Sequence, residues 1–309
     1  TVNINGEHVR VQGIDTFSDL TLNGGSLTVD SFLTVHDGHH LTLNNAVIQH
    51  GTVNLEGDAR LLVAGGTRSS RLDAVTVEGN IDLGDNSTLR LKDVAIDGRV
   101  TLPDTTYYGY ASLAFEGTQT LGGHAEIVST DTGGYYYNTL EMLGEGELTL
   151  GADVRVHGRG LNIGNALTSG AVTLQRLVNR GTIEADTGTI NVLANAFRNE
   201  GTVRAIGSGS VLSVSNFAPN AGRIEASTGG LVSISGDFTN LPSGEVAVSI
   251  GGTSSTSNGR LAISGSAAFD GTLSVSTTGG FTPLVGQSYT LLSFASRTGS
   301  FASVKDENP

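Results

Sequence analysis

Short apolar–polar–apolar triplets run through the N-terminal third of the chain: Leu20-Thr21-Leu22, Leu27-Thr28-Val29, Leu33-Thr34-Val35, Leu41-Thr42-Leu43 and Val53-Asn54-Leu55. Alternation of this kind places the outer members of each triplet on one face of a β-strand and the middle residue on the other. The triplets recur in phase: Leu20 to Leu41 is 21 residues, Leu33 to Val53 is 20 and Leu41 to Leu61 is 20. Three short strands per repeat, each stacking on its counterpart one repeat later, predict a three-sided parallel β-helix. A sandwich would show turns roughly every 8–12 residues without the long phase. Right-handed crossovers are the expectation for such parallel connections.

A second periodic signal lies further along. Asn179, Asn199, Asn220 and Asn240 recur at intervals of 20, 21 and 20 residues, preceded by Leu177, Phe197, Phe217 and Phe238 and followed by Gly181, Gly201, Gly222 and Gly244. Side-chain amides at strand spacing bond one another and satisfy turn backbone groups, so this ladder reads as scaffold. The Phe column reads as core stacking. The pattern thus predicts a parallel β-helix over 1–250, with an irregular Tyr-rich segment at 103–139. A separate C-terminal capping or joining β unit is expected at 251–309, which opens on the Gly/Ser-rich GGTSSTSNGR.

Composition agrees with an all-β solenoid. Glycine supplies 44 of 309 residues, proline 5 and charged residues 15%. The formal net charge of −13 argues against nucleic acid as a partner, because phosphates require a basic patch. With no cysteine, disulfides and thiolate metal sites are excluded. No apolar run approaches the ~18 residues of a membrane-spanning helix.

Candidate chemistry is sparse. Glu56, Glu78 and Asp97 each precede a glycine and are expected at one corner, where stacked carboxylates would attract a calcium ion. No other cofactor is implied. His36, Asp37, His39, His40 and His50 cluster in HDGHH and the following coil, a composition that suits zinc or copper. Six of the seven tyrosines fall in two groups, Tyr107, Tyr108, Tyr110 and Tyr135, Tyr136, Tyr137. Consecutive aromatics cannot all face one core, so these form a candidate interface or a platform on which sugars stack. No nucleophile motif, metalloprotease motif or phosphate loop is present. The carboxylates Asp104, Glu116, Glu126 and Asp131 keep a polysaccharide lyase or glycoside hydrolase open as the alternative, since hydrolysis needs two carboxylates.

The units VNRGTIEA (178–185), RNEGTVRA (198–205) and PNAGRIEA (219–226) resemble the Asn-x-Gly-Thr-Ile repeats of bacterial surface β-solenoids, filamentous-haemagglutinin-like adhesins and autotransporter passenger domains. The tail LAISGSAAFDGTLSV (261–275) with GFTPLVGQSYTLLSF (280–294) is similar to the unit that closes many such passengers. The resemblance implies a secreted, non-enzymatic surface or matrix protein that assembles with itself or contacts surface glycans. It implies no catalytic residue.

Overall fold

Alternation along the triplets becomes parallel strands stacked in register. The computed structural model of the chain describes residues 2–66, 68–105, 108–132, 137–168 and 170–307. Apart from one 3-10 turn at Ser255–Ser257 the described elements are all β-strands, and the fold is a parallel β-solenoid. The chain forms two compact units, residues 1–155 with 160–174, and 156–159 with 175–309.

In the first unit, face one carries Val2–Asn5, Leu20–Asn23, His40–Asn44, Arg60–Val63, Asn80–Leu83, Arg99–Leu102 and Glu126–Thr130. Register pairs Leu20 with Leu41, Leu41 with Leu61, Leu61 with Ile81, Ile81 with Val100 and Val100 with Ile127. On face two the inner column is Leu27, Ile48, Leu72, Leu91, Phe115 and Met142. On face three it includes Leu33, Val53, Val77 and Ile96. All of these are buried. Each aliphatic side chain so buried contributes about 1.5–3 kcal/mol relative to exposure, and each touches its equivalent in the next coil.

Residues 103–139 depart from the expectation of an irregular stretch. Ala111–Glu116 pairs with Ser87–Lys92 in full register, with Leu113 opposite Leu89, and Asn138–Leu143 continues the same face. Gln119–Leu121 and Glu126–Thr130 are likewise regular strands of this stretch.

The second unit repeats the plan. Face one stacks Thr182–Ala185, Thr202–Ile206, Arg223–Ser227, Glu245–Ile250, Thr272–Thr277 and Ser303–Asp306. Its inner column is Ile183, Val203, Ile224, Val246, Leu273 and Val304. The Phe column is longer than expected. Phe197, Phe217, Phe238, Phe269 and Phe294 follow at centroid distances of 5.1, 5.6, 6.4 and 5.5 Å, each pair edge-on. Such pairs add about 0.5–1.5 kcal/mol beyond area burial. Residues 260–306 belong to this unit and continue the coils: Arg260–Ile263, Ser266–Phe269 and Thr272–Thr277 stack on the preceding turn. Leu292–Ser293, Ser296–Gly299 and Ser303–Asp306 stack on these in turn.

Candidate functional site

The outer side of face two in the first unit carries the densest side-chain chemistry. Strand register sets Arg71 beside Arg90, then Ala114, then Glu141. Glu116 receives both arginines: Arg71 Nη2 at 3.0 Å and Arg90 Nη2 at 2.6 Å, while Arg71 also holds Asp73 at 3.0 Å. Glu141 is 1% exposed although it points away from the core. Residues 165–168 cover it. Its carboxylate accepts from Ser112 Oγ at 2.7 Å, from the Leu167 and Thr168 amides at 2.8 and 3.0 Å, and from the Thr168 hydroxyl. A buried carboxylate with this many donors is a fastener for the covering segment.

Tyr108 is 68% exposed, whereas Tyr110 and Tyr137 are half-buried. Burial, then the Glu141 carboxylate, pushes the Tyr110 hydroxyl above its ordinary pKa against an opposing hydrogen bond with Thr88. Tyr107, Tyr135 and Tyr136 lie outside the described residues. Of the hydrolase carboxylates, Asp104 accepts the Thr132 amide and hydroxyl at 2.8 Å, Glu116 holds two arginines and Glu126 meets Arg155 at 3.3 Å. Asp131 is buried.

The acidic corner is assembled differently from the expectation. Register places Glu78 between Asn54 and Asp97, so Glu78 and Asp97 share a column and Glu56 does not. Asp97 receives the backbone amide and the Nδ1 of His124, both at 2.8 Å. The side-chain bond, then the backbone bond, holds its carboxyl below the usual carboxylate range. Glu56 instead bonds His36 Nδ1 at 2.6 Å, and Asp15 bonds His36 Nε2 at 2.5 Å. Phe17 stacks on the imidazole at 3.8 Å with planes 9° apart. Desolvation lowers the His36 pKa, but its bonds to Asp15 and Glu56 outweigh that and leave it raised. With a carboxylate at each ring nitrogen, both nitrogens donate only in the imidazolium, so protonated His36 is a clasp across three successive coils.

The other histidines of the cluster turn elsewhere. His39 Nδ1 lies 3.7 Å from Asp19, His40 follows the face-one register opposite Arg60, and His50 sits at φ +62° with its amide on the Asp73 carbonyl. Among the described residues no group of three or more His, Asp or Glu side chains is arranged to hold a metal ion.

The asparagine ladder is continuous and directional. Asn179 Nδ2 donates to Asn199 Oδ1 at 2.9 Å, Asn199 to Asn220 at 2.9 Å and Asn220 to Asn240 at 2.8 Å. Asn240 ends on the Asp270 carbonyl at 2.7 Å. Each amide also donates to the glycine carbonyl of its own corner. Sequence reading missed a second ladder in the first unit, where Asn44 donates to Asn23 at 2.9 Å and Asn23 to Asn5 at 3.0 Å. The signal was present in the triplet tails, since each asparagine follows an inner leucine or isoleucine.

Comparisons of the chain with protein families, with curated proteins and with solved structures find no match.

Proposed function

We propose that this chain is a non-enzymatic, secreted bacterial surface or matrix solenoid, an adhesin stalk or filament protomer that assembles through strand edges. The observation that supports it is in-register repetition. A parallel stack presents at any uncovered coil the same hydrogen-bonding edge and apolar column that its inner coils use among themselves. Head-to-tail addition of identical chains is heterologous and gives fibres where the rotation does not close. Electron microscopy with light scattering across a concentration series tests this. Fibres or growing oligomers are expected, and a strict monomer at high concentration, with and without calcium, removes the filament reading.

A glycan-binding role is favoured by one observation, the exposed Tyr108 ring. A glycan array with a reducing-end assay separates the readings. Binding that Tyr108→Ala abolishes supports a lectin-like platform, and sugar release supports a glycan-cleaving enzyme.

A further inference from the structure

The second unit holds a cleft that its scaffold role does not require. Arg260 pairs in register with Leu231, and the Leu291 carbonyl accepts the neighbouring Leu261 amide at 2.9 Å. These strands and Ser255 border a cleft of about 160 Å³ whose walls include Leu231, Ala262 and Leu291. Arg260 lines the cleft, its Nε is buried, and that nitrogen has no hydrogen-bond partner. Arg260 forms no ion pair among the described residues, although acidic residues outnumber basic ones 30 to 17. Arg71, Arg180, Arg204 and Arg223, by contrast, each engage a carboxylate.

A guanidinium between two leucines sits in a medium less polar than water, which strengthens its attraction for an anion. Its planar fork matches a carboxylate. Apolar cavities of ~150 Å³ admit a molecule the size of benzene, so this space suits a ligand of roughly six to eight non-hydrogen atoms. We propose that the cleft binds a small monocarboxylate with a branched aliphatic tail, its carboxylate on Arg260 and its tail against Leu231, Ala262 and Leu291.

The test titrates the full chain with 4-methylpentanoate, its uncharged amide and acetate, read by calorimetry and saturation-transfer NMR. The acid is expected to bind at least ten-fold more tightly than either comparator. Arg260→Gln removes the preference for acid over amide while leaving the melting curve unchanged, Arg260→Lys keeps part of it, and Leu231→Ala weakens acid and amide alike. Three results overturn the proposal: no binding of the acid at tens of millimolar, equal binding of acid and amide, or a preference that survives Arg260→Gln. Self-association that Leu231→Arg abolishes also overturns it, because the cleft's occupant is then a second copy.

Discussion

The two asparagine ladders share a chemistry and differ in burial, which makes a direct test of what an amide ladder contributes. Asn199 is 0% exposed. It donates to Asn220 Oδ1 at 2.9 Å, Gly201 O at 3.2 Å and Arg223 O at 3.1 Å, and accepts from Asn179 at 2.9 Å. In Asn199→Ala most partners keep another bond. Gly201 O retains the Arg223 amide at 2.8 Å, and Asn179 Nδ2 retains the Gly181 and Thr202 carbonyls. Asn220 Oδ1 loses its ladder donor inside the protein. One orphaned buried acceptor costs about 1–3 kcal/mol, and weakening of the remaining bonds adds about 1. The expected loss is therefore about 3 kcal/mol, a urea midpoint shift of about 1.5 M for a slope near 2 kcal/mol/M. Asn23 bonds its neighbours in the half-exposed ladder, where water replaces a lost partner, so Asn23→Ala is expected to cost under about 0.5 kcal/mol. Asn199→Asp should exceed Asn199→Ala at neutral pH, because a buried carboxylate then faces three carbonyl oxygens, and should recover on acidification. Hydrogen–deuterium exchange in urea, read on peptides from each unit, measures all three. Equal losses for Asn23→Ala and Asn199→Ala would refute the reasoning, since ladder geometry rather than burial would then set the cost.

Two further outcomes are expected. A Cβ on Gly222 would lie 2.2 Å from the Gly201 carbonyl oxygen, whereas one on Gly122 meets nothing within 4 Å. Gly222→Ala should therefore destabilise by more than about 2 kcal/mol, and Gly122→Ala should be neutral or stabilising by up to ~1 kcal/mol; thermal melts decide. The raised pKa of His36 makes its clasp fully present below the ordinary histidine value of ~6.5 and progressively lost as pH rises through the raised value. The melting difference between wild type and His36→Gln should be largest at pH values below ~6.5 and shrink as pH rises through the raised value; a pH-independent difference contradicts the clasp.

Much of the architecture was readable because inner positions such as Leu20, Leu41 and Leu61 alternate with polar outer ones. Legibility failed where that contrast vanished. In Ala111–Glu116 the outer Ala114 is apolar, and in Asn138–Leu143 the outer Thr139 and Glu141 are polar yet buried, so residue type no longer reports which face is covered. Glu56 was misplaced for a different reason. It follows the strand Thr52–Leu55, whereas Glu78 ends the strand Thr76–Glu78, so counting back from the next glycine shifts one against the other by two positions. The Phe column was lost beyond Phe238 because the next interval widens from about 20 residues to 31. The His36 clasp joins residues 20 and 21 positions apart, and only the stacked coils bring its two carboxylates to opposite sides of one ring.

The one-way ladder of the second unit makes the coil a removable module. Asn179, Asn199 and Asn220 each donate to the identical amide of the next coil, so that bond does not depend on which coil supplies it. Excising residues 200–220 would delete one whole turn and bring Asn199 against Asn240 with every donor still directed correctly. Removing a single residue from within a strand such as Thr202–Ile206 would instead turn that strand's inner residues to the outer face. The solenoid is therefore built to change length in steps of one coil, and such steps should leave its cross-section intact.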